Sequence, residues 1–215
     1  FFSIVRSRTR AEKSGLRPLS AETLERFYGR MTESLQEVDL LASWIRGENY
    51  YSEFLVKASF CELATIEPYR SERPWTAALE GRKVLVVHPF DNTIRAQFEE
   101  RREKLFPETN VLPQFDLLTY RPPRSHFGEV RDAKHWFELL DDMIAGTSAL
   151  EFDAAIIGAG PFGLPLAAAL KRRGKVAIHL GGATQILFGI IGRRWESDPA
   201  ISSLRNEFWV RPHAN

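Results

Sequence analysis

This sequence predicts a parallel α/β fold, a Rossmann-like sheet with flanking helices, and three observations carry that reading. Short apolar runs, KVLVVH at 83–88, FDLLTY at 115–120, FDAAII at 152–157 and VAIHL at 176–180, alternate with segments of helical periodicity. Strands and helices alternating at this spacing form parallel sheets joined by right-handed crossovers. KVLVVH is apolar without interruption through its middle, as expected of a strand buried on both faces. Two of the runs also lead straight into glycine turns, GAGPFG at 158–163 and GGATQ at 181–185. A chain of 215 residues with 44% apolar content suffices for one such domain. Residues 1–75 form its more helical N-terminal part and 82–195 its Rossmann-like, nucleotide-binding part.

Taken in order, FFSIV at 1–5 has strand composition and runs into the basic segment SRTRAEK at 7–13, which reads as a solvated surface run. Ser20 caps a helix whose Leu24, Phe27, Met31 and Leu35 share one buried face, with Glu22 near the positive end of the dipole. A strand follows at 38–45 and a short aromatic helix at 50–57. Residues 67–81 are linker-like, and Tyr69 and Trp75, each beside a proline, either line a substrate or cover the edge of the core. After the strand at 83–88, Asn92 or Asp91 caps a helix that buries Ile94, Phe98 and Leu105. The strand at 115–120 is bracketed by prolines, and the loop at 121–129 is rich in charge and turn formers. Trp136, Leu139, Leu140, Met143 and Ile144 make the apolar stripe of the next helix, which Gly146 is expected to end. Beyond the strand at 152–157, Pro165 fits only in the first turn of a helix, so that helix starts at Gly163 or Leu164.

Composition narrows the function classes. With 29 basic and 28 acidic residues the net charge is +1, which gives no reason to expect a nucleic acid polymer as partner. The single cysteine, Cys61, forms no internal disulfide, as expected of a reducing, cytoplasmic setting. The most apolar stretch, 153–170, holds three glycines and two prolines and falls short of the ~20 apolar residues of a membrane span, so no integral membrane segment is expected. No secretory leader is visible, and a start at Phe1 is expected of a fragment.

Ligands of open parallel sheets bind at the carboxyl ends of the strands. Three strand ends are suggestive: His88-Pro89-Phe90-Asp91, Gly158-Ala159-Gly160-Pro161-Phe162-Gly163, and His179-Leu180-Gly181-Gly182-Ala183-Thr184-Gln185. In a parallel sheet all three meet at one edge. Glycines there permit positive φ and let backbone N–H groups approach a phosphate. Gly158, Gly160 and Gly163 also spell G-x-G-x-x-G, a dinucleotide fingerprint. Its confirming acid, about 20 residues on, is missing after 176–180, so an NAD(P)- or FAD-dependent oxidoreductase is the weaker reading and no tightly bound organic cofactor is expected. His88 and His179 are either functional or simply hydrogen-bonded at strand termini. No zinc spacing, G-x-S-x-G or triad is present.

The motifs together resemble a known family. Glu67-Pro68-Tyr69 with Pro74-Trp75, ALEGRKVLVVHPF at 78–90, Val111-Leu112-Pro113, the stretch 152–195 with its G-x-G-x-x-G-L-P and HLGGATQ-x-L-F-G, and NEFWVRP at 206–212 resemble a family of bacterial proteins similar to glycosyltransferases of the GT-D fold. The resemblance spans roughly residues 43–212. It implies a nucleotide-sugar donor, often a UDP-sugar, a glycan or other hydroxyl acceptor, and a divalent cation, Mn2+ or Mg2+, on an acidic D-x-E element after a first strand reading F-S-x-x-R. Phe2-Ser3-Ile4-Val5-Arg6 fits the start of that strand, but residues 7–11 lack the glycine and the Asp. Glu12 is the acid that remains, as metal ligand and, with His179, as catalytic candidate. Either the acidic motif is lost or residues are missing between Arg6 and Ser7. With the ligand class from the resemblance, the strand ends are expected to hold the nucleotide-sugar through His88, Phe90, Asp91, Gly158, Gly160, Pro161, Phe162, Gly163, Gly181, Gly182, Thr184 and Gln185. A non-catalytic binding module on the same scaffold is the alternative.

Overall fold

The computed structural model describes residues 20–45, 47–123 and 135–212. The expected first strand at 1–5, the basic run, Glu12 and most of the loop at 121–129 lie outside these residues.

Four strands, β3 (Lys83–Val87), β4 (Asp116–Tyr120), β5 (Ala154–Ile157) and β6 (Val176–His179), form one sheet in the order β4-β3-β5-β6. Every pairing is parallel, with Val84 opposite Leu117 and Ala154, and Ile157 opposite His179. The expected parallel α/β sheet with flanking helices is therefore present. Two shorter strands, β1 (Leu40–Ser43) and β2 (Ser59–Glu62), pair parallel in a separate two-stranded sheet.

Alternation along the strands sorts the core into two layers. Val84, Val86, Ala154 and Ile156 face one side, where the helix Asp91–Leu105 contributes Ile94, Phe98 and Leu105 and the C-terminal segment contributes Leu187, Phe188, Ile190 and Trp209. Leu85, Val87, Ala155 and Ile157 face the other, against Phe27 and Met31 of the helix Ala21–Leu35, Trp136, Leu140 and Met143 of Trp136–Ser148, and Leu166 and Leu170 of Gly163–Arg172. Val84, Leu85, Val86 and Val87 are fully buried, as the unbroken apolar run demands, and each stabilises the fold by about 1.5–3 kcal/mol. Among the described residues the α-helices, in chain order, are α1 (Ala21–Leu35), α2 (Leu63–Ile66), α3 (Asp91–Leu105), α4 (Trp136–Ser148), α5 (Gly163–Arg172), α6 (Thr184–Leu187) and α7 (Pro199–Leu204). No described helix is long and apolar enough to cross a membrane.

Helix α1 starts where expected: Ser20 Oγ accepts the Thr23 N–H at 3.0 Å. Phe27, Met31 and Leu35 are buried, but Leu24 is 38% exposed because the helix turns its first turn away from the sheet. The strand expected at 38–45 is confined to Leu40–Ser43, and the aromatic helix at 50–57 is a 3-10 helix over Glu48–Phe54. Tyr69 is buried and Trp75 donates its indole N–H to the Ile66 carbonyl at 2.9 Å, so this segment covers the edge of the core.

Two expected boundaries are corrected. Neither Asn92 nor Asp91 caps α3; Phe90 occupies the cap position without a side-chain bond, and Asp91 lies in the first turn. Gly146 does not end α4, which continues to Ser148. The glycine serves packing instead, since a methyl group there would lie 2.8 Å from the Tyr120 hydroxyl.

Candidate ligand site at the sheet switch point

The chain leaves β3 to form β4 on one side, then crosses back to place β5 on the other side of β3. Strand order thus reverses between β3 and β5, the arrangement that opens a ligand crevice at the carboxyl ends. The ladder runs to the very edge: Gly158 N–H donates to Val87 O at 2.8 Å and His88 N–H to Tyr120 O at 3.1 Å.

Gly158 is the point of convergence. A methyl group built on it would lie 2.5 Å from His88 Cδ2, 2.7 Å from the Gly181 carbonyl oxygen and 3.0 Å from Thr184 Oγ1. The ends of β3, β5 and β6 therefore touch around one glycine, which is the meeting of three strand ends that the sequence predicts. Such approach excludes any side chain at this position.

His88 is 4% exposed, and its Nδ1 accepts the Phe90 N–H at 3.1 Å. The proton of the neutral ring accordingly sits on Nε2. Burial pushes its pKa down to about 4, against the smaller opposing pull of Asp91. His88 is a neutral residue beneath the edge, with its ring centroid 5.1 Å from that of Phe90.

His179 differs. Its ring lies over Gly163, where a methyl group would fall 2.2 Å from Nε2, yet the residue keeps an exposed surface. Desolvation by the protein packed around it lowers its pKa, which leaves the ring neutral at pH 7.

The remaining candidates divide by exposure. Gly160 is exposed, and Phe90, Asp91, Gly181 and Gly182 are half-buried, so these line the accessible edge. Gly160 and Gly181 have φ of +54° and +64°, which aim their amides as only glycine does without strain. Pro161, Phe162, Gly163, Thr184 and Gln185 are buried. The Phe162 ring stacks on Trp136 at 5.3 Å with an interplanar angle of 8°, making it a foundation of the turn with its side chain in the core. Gln185 donates to the Ile190 carbonyl at 2.8 Å, which fixes the loop after α6. Thr184 Oγ1 is buried with no hydrogen-bond partner among the described residues.

Two arginines at this edge were not singled out by sequence reasoning. Arg121, one residue beyond β4, pairs with Asp91 at 2.6 Å. Arg194 reaches back over the second glycine turn: a methyl group on Gly182 would lie 2.9 Å from its Nη2, and its Cζ sits 4.3 Å from the Trp195 ring centroid. The pair Arg193-Arg194 ahead of Trp195, directly after Gly192, is the signal that would have found it.

Among the described residues no group of three or more His, Cys, Asp or Glu is placed to hold a metal ion. Asp91, the acid nearest the strand ends, is already engaged by Arg121, and Glu12 lies outside the described residues. A cavity of about 290 Å3 is lined by Asn92, Thr93, Ala96, Gln97, Glu100, Arg101 and Val210. None of the glycine-turn residues borders it, and the convergence at Gly158 outweighs it as an indication of the site because it joins three strand ends at the order reversal.

Fold and edge together define a Rossmann-like α/β protein whose strand order reverses between β3 and β5. No family model, no curated protein and no solved structure matches the chain.

Proposed function

We propose that this protein binds a nucleotide-sugar donor, in the first instance a UDP-sugar, at the edge formed by His88 to Asp91, Gly158 to Gly163 and Gly181 to Gln185, and transfers the sugar to a hydroxyl acceptor. The observation that carries the reading is the convergence of His88, Gly181 and Thr184 on Gly158 at the reversal of strand order. The motif resemblance to GT-D-like glycosyltransferases supplies the ligand class. The glycine turns at exposed Gly160 and half-buried Gly181 and Gly182 suit a diphosphate, and the half-buried Phe90 ring suits a base or sugar face.

In the transfer, the acceptor oxygen bonds to the anomeric carbon, the bond from that carbon to the diphosphate oxygen breaks, and the hydroxyl proton passes to a base. His179 meets the requirements of that base, being neutral at pH 7 and exposed at the edge. The divalent cation implied by the resemblance finds no donor set among the described residues.

A non-catalytic binding module is the second reading. It is favoured by the engagement of Asp91 with Arg121, which leaves that carboxylate without a free role at the edge. Calorimetry with UDP-, GDP- and dTDP-sugars, with and without Mn2+, tests the proposal. Binding of one donor supports it, release of the nucleoside diphosphate separates enzyme from module, and no binding of any donor rejects the glycosyltransferase reading.

A further inference from the structure

Positive charge at the second glycine turn is the feature that the reading above leaves unused. Arg194 is exposed and forms no ion pair among the described residues. The adjacent Arg193 is likewise exposed and without an ion pair among the described residues, whereas Arg121 pairs with Asp91 and Arg211 with Glu196. Two contacts orient Arg194. Its guanidinium stacks on Trp195 with Cζ 4.3 Å from the ring centroid, and its Nη2 lies against Gly182, which has no side chain to displace it. Beneath the same turn, Thr184 is fully buried with an unpartnered hydroxyl, 3.0 Å from where a Gly158 side chain would begin. The cation thus lies on the outer side of the Gly181-Gly182 turn at the carboxyl end of β6, and the unpartnered hydroxyl is buried beneath that turn, against Gly158. A planar guanidinium oriented in this way presents a fork suited to phosphate oxygens.

We infer that Arg194 is the anion-binding residue of the site, holding the phosphate oxygens of a diphosphate over the Gly181-Gly182 turn. The choice of ligand rests on the nucleotide-sugar reading, whereas the anion site itself rests on the geometry around Gly182. As a leaving diphosphate gains charge, an oriented guanidinium stabilises it without a metal ligand set.

Titration of the full chain with pyrophosphate, UDP and uridine, comparing the wild type with Arg194→Gln, Arg194→Lys and Arg193→Gln, tests this. Wild-type protein is expected to bind pyrophosphate and UDP, and Arg194→Gln to weaken both by about tenfold or more, the scale of one charge-assisted hydrogen bond. Arg194→Lys restores part of the loss, and uridine binding is the same in all. Because Arg194 is exposed, the melting temperature of each variant should match the wild type, which keeps the comparison clean. Failure of wild-type protein to bind pyrophosphate overturns the inference. So does an equal loss in Arg193→Gln, which would mean a diffuse basic surface. Pyrophosphate binding that depends on Arg194, without any preference for UDP or a UDP-sugar, sustains the anion site and rejects the nucleotide-sugar reading.

Discussion

The His88 ring touches the Cα of Gly158 so closely that a methyl group there would lie 2.5 Å from Cδ2. This contact joins the ends of β3 and β5. Gly158→Ala must also push on the backbone carbonyl of Gly181 at 2.7 Å, which cannot rotate away. Overpacking of this kind costs about 1–3 kcal/mol. Denaturant unfolding should show that loss, while Gly160→Asn, with open space and a φ of +54° that Asn tolerates, should cost less than about 1 kcal/mol.

His88 also gives a pH signature. Its pKa lies near 4 when folded and at the ordinary imidazole value of 6.5 when unfolded, so between these values the unfolded chain binds more protons. Stability from this group is complete above about pH 6.5 and is lost as pH falls toward 4. A shift of that size is worth on the order of 3 kcal/mol. Unfolding free energies measured from pH 7.5 to 4 should fall through this window in the wild type, and the fall should flatten in His88→Asn.

Trp136 supports the first glycine turn from below. It is fully buried, packs edge-on against Phe27 at 4.8 Å and stacks on Phe162, and its indole nitrogen has no partner among the described residues. Trp136→Ala should destabilise by about 3–5 kcal/mol. Trp136→Phe should cost clearly less, since it leaves no hydrogen bond broken; thermal melts of the pair check this.

The sheet was legible because its signals are local. KVLVVH is apolar at every inner position, and Pro165 confines the start of α5. Helix α4 was misjudged at Gly146 because that glycine answers to the Tyr120 ring, a contact made across the fold that no local pattern records. The glycine turns were visible for the same local reasons as the strands. Arg121 and Arg194 were not, because a cation gains meaning only from what lies beside it, and Asp91 is 30 residues from the one while Gly182 lies across a turn from the other. Phe162 read as a ligand contact from its place in the motif, yet its partner Trp136 comes from the preceding helix and takes the ring into the core.

His179 carries the proposed proton transfer, and kinetics can separate that role from binding. In His179→Gln, UDP-sugar affinity should hold while turnover falls by about 10^2–10^4, the range for loss of a general base. Gly163→Ala should reproduce the defect, because its methyl group would displace the ring from a position 2.2 Å away. Nucleoside diphosphate release measured alongside calorimetry checks both; equal losses in affinity and turnover would make His179 a binding residue.

The claim that the ligand sits at the switch point is tested most directly by amide chemical shifts during titration with a UDP-sugar. Gly160, Gly181 and Gly182 should shift together and saturate at one concentration. Shifts confined to Asn92, Ala96 and Val210, which line the cavity beside α3, would contradict the account.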